Sequence, residues 1–440
     1  MKAMGITHHE FDFDGGSCLR ILERRGLIQG CIFGEEELRE KLEEGGISKL
    51  IFVDASPKEP LSDMDLVIYD HHESENIDER EKTAFDILID EIGIRELDSE
   101  KIKTWRKLVW LGDKKPEADD MDIARALKKV HNLLGSNVET YTKWFSPLFD
   151  SFFANKSDLG STIQILQEEI SKFIFNNPDS PAKVHLQRWS ERLQNKEKIS
   201  KSTIRNVVHF LAYMERDVAI EWIRLLLEGY NKEQTEFQEG KADFDRAKFS
   251  FYGNTLIVSA TTKNPRFKQV ATYMIYSKDQ DVNPLIREKI KDRNSPWLVV
   301  VINPMNKNFQ MFINGNKSLI HRIITELVKA IRAEILSKRN RPVPDFNVLS
   351  GGGTTEGTKP LYFHKLETGY PSILWGSLKH PEVPATEFGN TSAEIHSRLI
   401  EIIKLALDEN EWAEGCPLIS CKDCPIYPWQ LKKCYERRKK

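Results

Sequence analysis

His8-His9-Glu10-Phe11-Asp12-Phe13-Asp14-Gly15-Gly16 and Asp70-His71-His72 are the two stretches on which the reading of this chain turns. Each follows an apolar run with the character of a buried strand. A third run of the same kind, Leu50-Ile51-Phe52-Val53, lies between them and ends in Asp54. Alternate residues of an extended chain project to the same side. On that spacing Asp12 and Asp14 face one cavity, with His8 on the same phase. Three strands that deliver carboxylate and imidazole groups at one end describe a metal site.

Working outward, residues 1–130 alternate strand and helix signals, with helices expected at Gly15–Arg25, Glu35–Glu44, Glu81–Gly93 and Ser99–Gly112. The expected fold class is therefore α/β, a mostly parallel sheet with helices on its faces, in which ligands sit beyond the carboxyl ends of the strands. Residues 131–248 lack strand-like runs. Helical periodicity covers 132–156, 159–175, 182–193 and 202–231, interrupted at Asn176-Asn177-Pro178-Asp179-Ser180-Pro181, and the last helix continues through 233–248. This is read as a helical connector or insertion. Strand signals return within 249–409, at 249–259, 269–276, 297–302 and 309–313, followed by helices at 318–338 and 393–408. That region is expected to be a smaller mixed α/β domain. Residues 410–440 form a basic, cysteine-rich tail.

The bulk numbers set limits. With 440 residues, 40% hydrophobic and 30% charged, the chain can build more than one core. Its net charge of −3 excludes polyanion binding by bulk field, so nucleic-acid contact has to come from a local groove or patch. No segment approaches the roughly 18 consecutive apolar residues of a membrane span. The N-terminus reads directly into a strand without a signal-peptide core, and the expected location is cytoplasmic. Cys18 and Cys31 read as small core residues.

Hydrolysis of a phosphodiester at neutral pH needs an activated water and neutralised phosphoryl oxygens, and two divalent cations about 3.5–4 Å apart supply both. Carboxylates bridge such ions, and histidine adds preference for Mn²⁺ over Mg²⁺. His8, Asp12, Asp14, Asp54 and His71 form that inventory. Asp113, after Leu108-Val109-Trp110-Leu111-Gly112, is the candidate for a further acid, with Asp119, Asp120 and Asp122 as competitors. Gly15 and Gly16 allow a tight turn into a helix whose N-terminus favours anions. His9 and Glu10 read as a bystander and a solvated acid.

In this order and spacing, His8-x3-Asp12-x-Asp14-Gly15, Asp54, Asp70-His71-His72 and Asp113 make the first 120 or so residues resemble the DHH phosphoesterase superfamily. That group includes RecJ-type single-strand exonucleases, oligoribonucleases, cyclic-dinucleotide phosphodiesterases and family II pyrophosphatases. The resemblance implies that His8, Asp12 and Asp54 hold one metal and that Asp14, Asp54, His71 and Asp113 hold the other, Asp54 bridging. His72 would orient the scissile phosphate or protonate the leaving oxygen. Asp70 would support the histidines from behind.

Family members usually carry a second domain with a glycine-rich loop that grips substrate. Gly351-Gly352-Gly353 stands after a β region and a long helix, as such a loop would. The family typically continues with a histidine, whereas Thr354-Thr355-Glu356-Gly357-Thr358 follows here. The Thr hydroxyls, Lys359, His364 or Lys365 would have to substitute. Arg20, Arg24 and Arg25 are candidates for lining a phosphate path. In the tail, Cys416-x4-Cys421-x2-Cys424-x9-Cys434 suits a structural Zn²⁺, with an iron–sulfur cluster as the second reading. Lys432, Lys433 and Arg437 to Lys440, interleaved with Tyr427, Trp429 and Tyr435, suit single-stranded nucleic acid. The expected activity is a Mn²⁺- or Mg²⁺-dependent phosphodiesterase or nuclease acting on single-stranded or short oligonucleotides. The alternatives are a small-nucleotide phosphatase or cyclic-dinucleotide phosphodiesterase, and a nucleic-acid-binding protein with a degenerate catalytic domain.

Overall fold

In the computed structural model, the residues described are 2–8, 11–57, 61, 64–71, 82–93, 99–114, 121–135, 137–195, 205–253, 255–276, 286, 295–315, 317–344, 346–364, 371–376 and 383–407. Contacts divide the chain into two units, Met1–Thr235 and Glu236–Lys440.

The first unit is built on four strands, β1 (Lys2–Thr7), β2 (Cys31–Phe33), β3 (Ile47–Val53) and β4 (Asp65–Tyr69), all parallel and ordered β2-β1-β3-β4. Alternation sends Ile6, Ile32, Leu50 and Phe52 to one face, under Leu38 of the helix Glu35–Glu44. Phe33, Ile51 and Val53 go to the other face, under the helix Phe13–Arg24. With both faces covered, the strands read as continuous apolar runs, which is how a parallel sheet is written in sequence. The chain leaves β1 toward β2 on one side and returns to β3 on the other. The gap beyond β1 and β3 is therefore the switch point where open α/β sheets form their ligand crevice.

The helices after residue 120 share the core of this sheet. Trp105 of the helix Ser99–Lys114 packs tilted or edge-on against Phe13, Phe149, Phe152 and Phe210, and donates its indole N–H to Ser17 Oγ at 2.8 Å. Two expected helical stretches are broken in the structure. The helix Ile123–Leu134 ends at Gly135, whose φ of 84° suits a residue without Cβ. The stretch 202–231 divides into Val207–Leu211 and the start of the long helix Arg216–Asp245.

The second unit contains a six-stranded sheet ordered β5-β6-β7-β8-β10-β9. Its strands are β5 (Lys248–Tyr252), β6 (Thr255–Thr261), β7 (Trp297–Ile302), β8 (Phe309–Asn314), β9 (Leu361–His364) and β10 (Ser372–Trp375). Among the described residues of this sheet, only the β6–β7 pair is parallel. Ile257, Leu298, Val300, Met311 and Ile313 face the helices Lys317–Lys338 and Ser392–Leu407. Leu256, Val258 and Val299 face Phe267, Val270 and Ala271. Those last residues correct the reading of 269–276 as a strand, because Phe267–Tyr276 is a helix. Val, Thr, Tyr and Ile raise β propensity there, but Phe267, Val270, Ala271 and Met274 recur at helical spacing, and burial of that stripe overrides propensity. The expected strand at 249–259 is a hairpin of β5 and β6 that turns at Gly253, φ 55°. Among the described residues, no helix is long and apolar enough to cross a membrane.

Candidate metal centre

β1 ends at Thr7, and the chain does not continue as a strand through Asp12 and Asp14. Asp12 instead caps the helix Phe13–Arg24, its carboxylate accepting from the backbone N–H of Asp14 at 2.8 Å and Gly15 at 3.2 Å. Asp14 lies in the first turn. The two acids are brought together by a helix N-terminus and not by strand alternation. A capping aspartate satisfies amides that a helix start leaves without partners, which is why Asp at this position starts the helix.

Gly15 and Gly16 matter for closeness rather than for a turn. A Cβ on Gly15 would stand 2.3 Å from Thr7 Oγ1, and one on Gly16 would stand 2.9 Å from the Phe145 ring. The helix start can therefore approach the end of β1 closely. Thr7 Oγ1 is buried there without a hydrogen-bond partner among the described residues.

Asp54 follows β3 with φ of 51°, a left-handed conformation in a non-glycine residue that is 4% exposed. Its backbone N–H donates to Tyr69 O at 2.8 Å. Single residues held in this region store of order 1 kcal/mol and cluster at functional sites. Asp54 Oδ2 lies 3.0 Å from His8 Nε2. Its Oδ1 lies 3.8 Å from His71 Nδ1, as does Asp14 Oδ2. Two sets of three result, His8–Asp12–Asp54 and Asp14–Asp54–His71, with donor atoms within 4.8 Å of one another in each. Asp54 is common to both.

The carboxylate of Asp14 is fixed by a second helix start. It accepts from Ala84 N at 2.8 Å and Phe85 N at 2.7 Å, the first two residues of the helix Ala84–Ile92. Thr83 and Asp86 form a reciprocal capping box at that terminus. Burial pushes the Asp14 carboxyl well above the usual carboxylate range, and the charges of Asp54 and Asp12 push it further, against the two amides. Hard oxygen donors and imidazoles crowded at this density fit divalent cations, whose charge would relieve the repulsion.

Asp113 ends the helix Ser99–Lys114, with Oδ2 3.3 Å from His71 Nε2. It approaches the ring from the side opposite Asp14 and Asp54, and it belongs to neither set of three. Asp70 accepts from Ser56 Oγ at 2.7 Å, tying the end of β4 to the segment after Asp54. Asp122 is occupied elsewhere, capping the helix Ile123–Leu134 and pairing with the buried Arg205 at 2.6 Å. His9, Glu10, His72, Asp119, Asp120, Lys365 and the tail cysteines Cys416, Cys421, Cys424 and Cys434 lie outside the described residues.

Arg20 and Arg24 are engaged by Asp150, at 3.0 and 3.1 Å, and Arg25 donates to Gly93 O. In the second unit, Gly351, Gly352, Gly353 and Thr354 follow the short helix Phe346–Ser350, and Gly353 pairs with Phe363 of β9 in both directions. His364 is exposed on β9. Reading by sequence missed the amides of Ala84 and Phe85, Thr7, and Arg332, a fully buried arginine whose guanidinium donates to the carbonyls of Leu349, Gly351 and Gly353. The capping pattern Thr83-Ala84-Phe85-Asp86 was the available signal for the first pair.

No family model matches the chain, and no curated protein matches it in sequence. Solved structures do. The pGpG-specific phosphodiesterase PggH of Vibrio cholerae is 12% identical, over 91% of this chain and 98% of its own, with a TM-score of 0.34. A DHH domain from a member of a ribosomal protein family is 13% identical, over 92% of this chain and 87% of its own, with a TM-score of 0.38. RecJ of Thermus thermophilus, solved with Mn²⁺, is 11% identical, over 92% of this chain and 52% of its own, with a TM-score of 0.38. The solved structures to which this chain is similar thus include a DHH domain, a phosphodiesterase and RecJ.

Proposed function

We propose that the chain is a DHH-type phosphoesterase, a Mn²⁺- or Mg²⁺-dependent phosphodiesterase that hydrolyses single-stranded or short oligonucleotides. The observation that carries this reading is Asp54, one strained and buried carboxylate shared by two sets of three donors. A structural aspartate needs one partner set, whereas a bridging carboxylate needs two. His8 and Asp12 would complete one ion's set, and Asp14 and His71 the other's. Two bound divalent ions would supply an activated water and neutralise the phosphoryl oxygens.

The chain's own groups do the remaining work. Asp14 is held in register by the Ala84 and Phe85 amides, so its position does not depend on side-chain freedom. Asp113 on Nε2 of His71 fixes the ring's orientation and leaves Nδ1 toward Asp14 and Asp54, or it supplies the further metal-binding acid. His72, next to His71 in sequence, is assigned to the scissile phosphate by the motif alone. The glycine loop Gly351–Thr354 is assigned to substrate, and the basic tail to the polynucleotide.

The test is hydrolysis of end-labelled RNA and DNA of graded length with Mn²⁺. Cleavage by the wild-type chain and its loss in Asp54→Ala and His71→Ala are expected. Absence of wild-type cleavage, or unchanged cleavage by both variants, overturns the assignment. Stepwise shortening of long strands separates an exonuclease from an enzyme confined to dinucleotides.

A further inference from the structure

The carboxylate of Asp14 rests on the backbone N–H groups of Ala84 and Phe85, so the place of this acid depends on where the helix Ala84–Ile92 begins. That beginning is itself held. Thr83 N and Oγ1 donate to Asp86 Oδ2 at 3.2 and 3.1 Å, and Asp86 N donates to Thr83 Oγ1 at 3.1 Å. One oxygen of the buried Asp86 is thereby committed to the cap. The other, Oδ1, accepts from Arg106 Nε at 2.6 Å. Arg106 also donates from Nη2 to Asp90 Oδ1 at 3.1 Å, one turn farther along the same helix, and Lys82 donates to Asp90 Oδ2 at 2.8 Å.

Arg106 lies on the helix Ser99–Lys114, which makes two more polar contacts toward the metal centre. Its neighbour Trp105 donates to Ser17 Oγ at 2.8 Å, on the helix that carries Asp14. Asp113 stands two turns beyond Arg106, about 10 Å along the axis and on nearly the same face. Its Oδ2 is 3.3 Å from His71 Nε2. One helix thus touches the helix that bears Asp14, the cap whose amides hold Asp14, and the histidine of the same donor set. That set is Asp14–Asp54–His71, whereas His8 and Asp12 belong only to the other. The ion pair itself has little to offer the fold, because Arg106 is 33% exposed and pairs with an exposed partner contribute little to stability. Its consequence is local. Helix ends fray unless capped, and a site binds well only when its donors are held to within about 0.5 Å.

We propose that Arg106 is a positioning residue that sets the metal affinity of the Asp14–Asp54–His71 set, acting through Asp86 and the start of the helix Ala84–Ile92. This rests on the metal-dependent reading above and deepens it, since it says what fixes the strength of one of the two sites. The helix Ser99–Lys114 is then a single bar across that site, with Arg106 behind its acid and Asp113 behind its histidine.

The test uses the full chain as wild type, R106Q, R106K and D90N, with circular dichroism to establish folding and Mn²⁺ titrated into each by calorimetry. The wild type is expected to take up two ions. R106Q should bind one as the wild type does and the other about tenfold more weakly. R106K keeps the charge but cannot fork between Asp86 and Asp90, so it should recover only part of the loss; it carries the same comparison if R106Q does not fold. D90N removes the outer arm of the fork and spares the cap, and both affinities should match those of the wild type. In the metal-free chain, the amides of Ala84 and Phe85 should exchange faster in R106Q. Thr83→Ala and R106Q should be non-additive in their effect on the weakened ion, as residues acting through one cap are. Unchanged affinities in the Arg106 variants, or equal weakening of both ions, overturn the proposal while leaving the metal reading intact. A wild type that binds no Mn²⁺ overturns the metal reading and this inference with it.

Discussion

If Asp54 bridges two metal ions, replacing it with Asn should separate stability from function. In the metal-free chain Asp54 faces Asp14 on one side and Asp12 on the other, with donor atoms of each set within 4.8 Å. Two unit charges about 5 Å apart at an effective dielectric of about 20 repel by about 3 kcal/mol. Part of that is already relieved, because burial and the neighbouring carboxylates raise the Asp14 carboxyl well above the usual range and so favour its neutral form. Asparagine also tolerates the left-handed backbone at φ 51° and keeps an oxygen for the 3.0 Å contact with His8. D54N should therefore stabilise the metal-free protein by about 1–3 kcal/mol, or roughly 2–4 °C in melting temperature per kcal/mol for a unit of this size. With Mn²⁺ at about a hundredfold its dissociation constant, the wild type gains about 2.7 kcal/mol by mass action, and D54N loses most of that gain. The assay is a pair of thermal melts of both proteins, in chelator and in Mn²⁺, alongside hydrolysis. The order of stability should reverse between the two conditions. A D54N variant that melts below the wild type in chelator, or that responds equally to Mn²⁺, refutes the bridging argument.

Four further outcomes follow from the same geometry. Asp14 has its folded-state carboxyl raised, so the folded chain binds more protons than the unfolded one above the usual carboxylate range; metal-free stability should fall as pH rises from about 4 through the raised value, and Asp14→Asn should flatten that slope in chelator melts. His131, buried against Phe11, is lowered from 6.5 to about 4, so its contribution is present above about 6.5 and is lost as pH falls toward 4, by about 3 kcal/mol in full; His131→Leu should remove that acid limb from a urea-denaturation series. Gly15→Ala brings a Cβ to 2.3 Å from Thr7 Oγ1 and should destabilise by about 1–3 kcal/mol, with Thr7→Ala recovering part of the loss in a double-mutant cycle. Asp113→Asn should weaken Mn²⁺ binding by about tenfold or more, read by calorimetry, and an unchanged affinity would exclude a role for this acid in holding the ion or orienting His71 for it.

The α/β architecture and the ends of β1, β3 and β4 were legible in the sequence because a doubly covered parallel sheet writes itself as apolar runs, and each run here stops at an acid or a histidine. The arrangement of Asp12 and Asp14 was not. Strand alternation and a helix cap both place residues two apart near each other, and only the third dimension shows Asp12 capping the helix that contains Asp14. Phe267–Tyr276 was misread for a similar reason, since β-branched and aromatic residues suited a strand while the buried stripe followed helical spacing. Arg332 had no local signal. An arginine among Ala330, Ile331 and Ala333 looks like an exposed position on an amphipathic helix, and its burial depends on carbonyls seventeen to twenty-one residues farther along the chain. The two glycine clusters divide in the same way. Gly351 to Gly353 could be recognised as a loop, whereas the need for Gly15 became visible only with Thr7 beside it.

The crowding at Asp54 argues against a purely structural origin for the site. A core selected for stability alone would not hold three carboxylates within reach of one another, nor keep a buried aspartate at a positive φ where asparagine or glycine relaxes the backbone. Among the described residues, the cations nearest in sequence to Asp12 and Asp14, Arg20 and Arg24, are turned away to Asp150, and Lys49, nearest to Asp54, pairs with Asp65, while Asp14 is held in place by amides that carry only partial charge. On the metal-dependent reading proposed above, two divalent ions would supply four positive charges against Asp12, Asp14 and Asp54. If so, the acids that crowd the empty site would be those that hold the ions, and stability in chelator and activity in Mn²⁺ should respond to Asp54 with opposite signs.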